Sequence, residues 1–510
     1  MGSIVEIVFL PQIIAVLAFC ITLLTFIHYR VTCSGHRLPL PVLPPGPSGR
    51  FVFGNFIPTS SAHLYFESLT QQYGPIFTLR QGFNTVIVIG RLRAAADIME
   101  KEGLATVDRP RSIAVGDTLS GGMRLVMTPV GEQFRKFRRA IHSHLRPQIL
   151  PDYAVIIARN AKQHIIDIIN DPSNHQGHAK RYAASVVMEI AYGKQPKLYT
   201  DPEILAINQC SRTFGLNLRP GLWMVDAYPI LRYIPGYLKE LQDAHVSELA
   251  LFKRLLYEVQ TKMKSKADLP ASFSRYLLER QSELGLSDSE IAYLAGSMFG
   301  AGSDTTASAI SISIIAAACY PEAQRRVQDE LDAVIGRKKA PASKDQDMLP
   351  QTMAFVLETF RWRPVVPGGI AHRTTRDIIW ENYLIPKGAT IIGNTWSIGR
   401  DPNFFEDPES FNPQRWLAED GRIKQDLKSY SFGFGRRVCP GQYMATSSVF
   451  VNTALLQWAF KISPDPAAPI DKMAFTDGVT THPLPFNVNF KPRITSSMDA
   501  IKELLGTYEI

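Results

Sequence analysis

The chain has 510 residues, 45% of them hydrophobic and 20% charged, enough to bury a large core and too apolar for a disordered tail. Its 55 basic and 47 acidic residues leave a net charge of +8, yet no basic run with interleaved aromatics or zinc pattern marks it as a nucleic-acid binder. Five cysteines, Cys20, Cys33, Cys210, Cys319 and Cys439, contain no CxxC pair and support neither a disulfide framework nor a structural zinc site.

Residues 7–27 carry no charge and are interrupted only by Pro11, Gln12 and two threonines, a length sufficient to span a bilayer. Residues 1–30 are therefore expected to form a single-pass membrane anchor. A cleaved signal peptide is the competing reading, but the apolar run is long for one, Glu6 precedes it in place of basic residues, and no small-residue cleavage site follows. Arg30, Arg37 and Arg50 follow the segment, so the positive-inside rule places the body on the cytosolic side, as in an endoplasmic reticulum membrane protein. The few cysteines and the lack of an N-x-S/T sequon agree with that side. Residues 38–47 read LPLPVLPPGP, stiff and extended, and residues 31–50 are expected to be a proline-rich hinge. Beyond it no repeat or second linker divides residues 51–510, which we take as one domain.

Within that domain, residues 51–91 alternate glycine signals with β-like runs such as Thr85, Val86, Ile87, Val88 and Ile89. Phe134, Arg135, Lys136, Phe137, Arg138 and Arg139 lie on a basic helix, and residues 151–330 read as largely helical. Ser287 and Glu290 form a capping-box pattern ahead of a proline-free apolar stretch ending at Cys319. About 32 residues at 1.5 Å each give a helix of roughly 48 Å, long enough to cross a large domain. Its middle, Gly300 to Thr306, is poor helix-forming material and suggests a local opening; close packing through small residues is the plainer account.

The last third mixes strands, turns and helices. Glu358 and Arg361 stand three apart on a helix after Pro350 and can pair. An apolar stretch at 365–370 and then His372 and Arg373 follow, and farther on Phe411, Asn412, Pro413, Gln414, Arg415 and Trp416. Residues 432–441 read FGFGRRVCPG. One cysteine there sits among glycines, with Arg436 and Arg437 before it and a helix start after Gly441, surroundings that lower a thiol pKa.

This decapeptide resembles the haem-binding loop of the cytochrome P-450 superfamily, F-x-x-G-x-R-x-C-x-G, through Phe432, Gly435, Arg437, Cys439 and Gly441. The resemblance implies that Cys439 is the axial thiolate ligand of haem iron, that Arg437 pairs with a haem propionate and that Phe432 packs near the thiolate. Glu358, Arg361 and Arg415 are similar to the family's structural triad. Ala301, Gly302, Asp304 and Thr305 fall in register with its A-G-x-D-T oxygen-activation motif, making Asp304 the acid and Thr305 the alcohol of a proton relay. Arg138 is carried over as a propionate contact, while Phe134 stands where the family usually has tryptophan; His372 and Arg373 offer a further cation or an ordinary turn. The implied fold is mainly α with small β-sheets, the cytochrome P-450 fold, preceded by one transmembrane helix.

By family position the substrate pocket draws on Phe299, Ala301, Val365, Val366, Ile370, Val479 and Thr480, most of them apolar, which suits a lipophilic small molecule. The implied activity is hydroxylation or epoxidation with haem b, O2 and NADPH-derived electrons, in the style of fungal microsomal members that tailor terpenoids, polyketides or other secondary metabolites. The implied partner is an NADPH-dependent flavoprotein reductase, with cytochrome b5 as an optional second donor, steered to a cationic face of Arg135, Lys136, Arg138, Arg139 and Arg436. A haem-thiolate isomerase or dehydratase, and a non-catalytic haem sensor, are the competing readings.

Overall fold

The computed structural model describes residue 22 and residues 42–506, apart from 51–52, 197, 199, 266–269, 429 and 495–496. The expected anchor over residues 1–30 lies outside the described residues except for Thr22. Among the described residues no single helix is long and apolar enough to cross a membrane.

The principal helices are α1 (Ala62–Tyr73), α2 (Glu132–Leu145), α3 (Leu150–Asn170), α4 (His175–Tyr192), α5 (Pro202–Asn217), α6 (Lys239–Lys264), α7 (Asp288–Cys319), α8 (Pro321–Val334), α9 (Pro350–Trp362), α10 (Gln442–Ala459) and α11 (Met498–Gly506). Strands are short: β1 (Ile76–Gln81), β2 (Asn84–Ile89), β3 (His372–Arg373), β4 (Ile378–Trp380), β5 (Tyr383–Ile385), β6 (Thr390–Gly393), β7 (Phe460–Pro464) and β8 (Val488–Pro492). The domain is thus mainly helical with small sheets.

Helix α7 is the axis of the molecule. Its start is fixed by a reciprocal cap: Ser287 Oγ accepts from the Glu290 N–H at 3.3 Å, and Glu290 accepts from the Ser287 N–H at 2.9 Å. A helix apolar on every side must be wrapped on every side, and α4, α5, α6 and α10 supply the wrapping. Each large side chain so buried contributes about 1.5–3 kcal/mol. At Tyr320 the chain turns, and α8 leaves at 103° to α7 behind Pro321. The weak stretch at 300–306 does not open, because α7 runs through it without a break. Its glycines admit neighbours instead: a Cβ on Gly300 would stand 2.4 Å from Ser211 Oγ, and one on Gly302 would stand 2.9 Å from Val187.

The main sheet has the order β1-β2-β6-β3, with β1/β2 and β3/β6 antiparallel and β2/β6 parallel. Along β2 the two-residue period sends Val86 and Val88 to a cluster with Phe66, and Ile87 and Ile89 to a second one with Ile98 and Phe434. The described part of the proline segment is not a free spacer. The Pro45 and Pro44 carbonyls accept from the Thr78 N–H and hydroxyl at 2.8 and 2.7 Å, so the chain is fastened to β1 before the domain proper begins.

Candidate active site

Between Ile291 and Ala318 every residue of α7 is buried except Ser297, Ala301, Gly302, Asp304 and Thr305. Ser297, Ala301 and Thr305 are four apart and share one helix face. On that face Ala301 is exposed and Thr305 half-buried, while the Ser297 hydroxyl is buried without a protein partner. Phe299 is fully buried on another face, within the helical core, so the expectation that it lines the pocket is corrected: two residues' rotation from Ser297 turns it away.

Thr305 donates its hydroxyl to the Ala301 carbonyl at 2.7 Å, which leaves its oxygen able to accept from a water. Asp304 is engaged elsewhere. Its Oδ2 accepts from the Thr480 hydroxyl at 2.9 Å and its Oδ1 meets His482 Nε2 at 2.9 Å. Burial pushes the Asp304 carboxyl up, but His482 and Thr480 together outweigh burial and hold it below its ordinary value. Ser308 Oγ donates to the Thr481 carbonyl at 2.6 Å, and the Thr481 N–H donates to Val365 O at 2.9 Å. Central helix, residues 479–481 and residue 365 are thereby stitched together, with Val365, Val366, Ile370, Val479 and Thr480 all partly accessible.

The cysteine loop is built on close approach. Gly435 takes φ +50 beneath residues 99–103, where a Cβ would stand 2.7 Å from the Met99 carbonyl, and its N–H donates to Glu100 at 3.1 Å. The Cys439 N–H closes the loop on the Phe432 carbonyl at 2.8 Å, and the Phe432 ring meets Phe360 edge-on at 5.0 Å. Gly441, just before α10, keeps its N–H near the sulfur and adds no side chain beside it. Burial pushes the Cys439 thiol up, against the pull of the Gly441 N–H and the Arg138 charge. The lowered thiol pKa expected from the flanking arginines is therefore not met by the protein's own groups.

Arg437 lies beside this loop, its guanidinium 3.6 Å from the centre of the Phe134 ring and its Nε donating to the Val107 carbonyl at 2.6 Å. Both terminal nitrogens are buried without a protein partner. Arg138 donates to the Val438 carbonyl at 3.0 Å, joining α2 to the cysteine loop. Sequence reasoning missed Arg109, which donates to the carbonyls of Val126, Ile370 and Ala371 and is pushed down to about 9 by burial and then by the Arg437 charge. The His372–Arg373 pair supplies no free cation here: burial holds His372 at about 3, so it stays neutral, and Arg373 turns to Asp108 at 4.0 Å. Elsewhere, Glu358 accepts from Arg361 at 2.7 and 2.8 Å, Arg415 at 3.1 Å, the Trp416 indole at 2.9 Å and the Asn412 N–H at 2.9 Å.

The cytochrome P-450 family model matches residues 44–490. The chain belongs to the cytochrome P-450 family. It is 52% identical over 453 residues to cytochrome P-450 monooxygenase 64 of Postia placenta, covering 89% of this chain and 91% of that protein. Monooxygenase 113 of the same fungus is 50% identical over 489 residues, 96% and 98% of the two chains. A cytochrome P-450 monooxygenase of Armillaria gallica is 35% identical over 508 residues, again 96% and 98%. These matches make the protein a cytochrome P-450 monooxygenase, which sets aside the isomerase and sensor readings.

The residues present fit the family's haem b. A buried cationic group with unpaired Arg437 nitrogens calls for an anion, which haem propionates are, and a deep, partly accessible thiol stands at the mouth of a short loop. Cys439 would hold the iron, with Arg437, Arg109 and Arg138 as the cationic surround. Phe134 differs from the usual tryptophan by offering no N–H; its ring instead carries the Arg437 guanidinium.

Proposed function

We propose that this cytochrome P-450 hydroxylates or epoxidises a lipophilic small molecule, with electrons passed from NADPH by a flavoprotein reductase, in fungal secondary metabolism of the terpenoid or polyketide kind. The observation that carries it is the accessible stretch at Ala301 and Thr305 in a mostly buried helix, joined through residues 479–481 to apolar Val365, with Val366, Ile370 and Val479 also partly accessible. Bound haem supplies the oxygen-activating redox chemistry. The protein's part is to exclude bulk water with these apolar walls and to hold one proton-bearing water at the Thr305 hydroxyl oxygen. Of the acid and alcohol, Thr305 is the one not tied to Thr480 and His482.

Partner and membrane readings rest on surface features. Arg135, Arg139 and Arg436 are exposed on either side of the Arg138–Val438 link, a cationic face for an acidic electron donor such as the reductase or cytochrome b5. Lys136 is spent on Glu132 at 3.0 Å and Arg138 points inward, so this face is narrower than the sequence suggested. Attachment to the endoplasmic reticulum membrane is supported by the apolar residues 7–27 and by exposed Phe53, Phe56, Phe83, Ile230 and Tyr233. These lie near one another: the Gly82 N–H donates to the Phe53 carbonyl at 3.3 Å, and Gly82 abuts Tyr228. Exposed aromatics clustered where an apolar leader enters the body suit a lipid surface.

Thr305→Ala tests the core of the proposal. The variant should load haem, bind substrate and consume NADPH, but lose product to hydrogen peroxide; general acid assistance contributes about 100- to 10,000-fold, and replacement water recovers part of that. Equal product per NADPH in the two proteins would remove the role given to Thr305.

A further inference from the structure

Residues 474–484 fold back on themselves. Phe475 bridges Pro483, the Thr476 N–H donates to His482 O at 2.8 Å, the His482 N–H returns to Thr476 Oγ1 at 3.0 Å, and the Leu484 N–H donates to Ala474 O at 2.9 Å. The result is a small self-braced loop whose tip, Val479 and Thr480, is turned toward α5 and α7: the Val479 N–H donates to the Gly215 carbonyl at 3.4 Å. Two side chains of this loop, Thr480 and His482, take both oxygens of one carboxylate, Asp304, on the central helix. Asp304 stands immediately before Thr305 and four residues before Ser308, the other α7 residue bonded to the loop. A carboxylate with both oxygens engaged in this way is tied in place, and the group that ties it ties the loop as well.

We propose that His482 is a positioning residue: with Thr480 it clasps Asp304, holds the 474–484 loop against the central helix, and thereby sets the width of the substrate pocket at Val479 and Thr480. The second half rests on the reading that these two residues line the pocket. In this arrangement Asp304 works first as the helix's half of a clasp, and the pocket wall depends on a histidine acting through that carboxylate. Asp304's depressed pKa is the electrostatic trace of the same contacts, with Lys180 on α4 adding to it.

The test is hydrogen exchange on the haem-loaded protein, paired with titration of a panel of lipophilic ligands read by the haem spin-state change. His482→Ala should raise exchange within 474–484 by about tenfold or more, the factor expected for losing one hydrogen bond to a charged group. The carbonyl spectrum and haem content should stay unchanged. His482→Gln, whose amide reaches the same oxygen, should restore most of the protection. Thr480→Val, removing the other donor while keeping the shape, should loosen the same segment and provides the measurement if His482→Ala accumulates poorly. Unchanged exchange in 474–484 for both His482→Ala and Thr480→Val would overturn the clasp. A loosened loop with the order and strength of ligand binding unaltered would keep the clasp and overturn the pocket reading instead.

Discussion

Arg437 has two terminal nitrogens that no protein atom satisfies, in a place closed to water, next to two further guanidinium groups. Leaving a buried donor unmatched costs about 1–3 kcal/mol, and more for a charged one, so an anion against Arg437 would stabilise this corner beyond what Asp108 already does. Haem propionates would meet that need, with Cys439 placed to hold the iron. In the reduced carbonyl complex the protein should show the red-shifted Soret band of thiolate ligation, and Cys439→His should abolish it. An unchanged band in that variant would displace Cys439 from the iron. The cysteine was legible because its neighbours are spaced along ten consecutive residues. Arg109 was not legible, since its partners Ile370 and Ala371 lie more than 260 positions away and are carbonyls, which leave no mark in a sequence. Phe299 was misplaced for the opposite reason: its position suited a pocket, but only the helix phase shows which face is accessible.

At the scale of elements, the arrangement depends on a knot of five donors on Glu358, drawn from α9 and from residues 412–416. Arg361 spends its other N–H groups on the carbonyls of Gly399, Pro408 and Ser410, so nothing in the knot is left over. Glu358→Ala leaves two buried guanidinium groups without a counter-charge, a loss of roughly 3–5 kcal/mol. Little haem-loaded protein should then accumulate, as measured by the carbonyl difference spectrum per milligram; normal yield would show that the knot is dispensable. The motif order made Glu358, Arg361 and Arg415 readable as a set, whereas Asn412 and Trp416 joined through a backbone N–H and an indole that no pairing rule flags. Central helix α7 shows the reverse case. Low helix propensity at 300–306 suggested an opening, yet packing against Ser211 and Val187 overrides about 1 kcal/mol per glycine.

For the whole molecule, the Pro44 and Pro45 carbonyls on Thr78 decide where the body begins. A chain starting at Leu38 keeps that fastening and should still load haem, while being released from microsomes by carbonate; the full chain should resist extraction. Full release of the intact chain would end the anchor reading. Mainly helical organisation was visible in the long apolar and basic runs, but the attachment of the proline segment was not, because prolines signal extension without naming the strand that accepts it. One consequence concerns the order in which the chain is made. Helix α7 is finished long before Gln442–Ala459, one of the helices that must cover it, leaves the ribosome. For that interval the largely apolar helix is without that cover and, on the anchor reading proposed above, lies beside a membrane. Asp304 near its middle carries a transfer cost of about 2.5–3.5 kcal/mol into lipid. The residue that clasps the finished pocket thus also biases the unfinished chain against insertion, and toward waiting for its C-terminal partner.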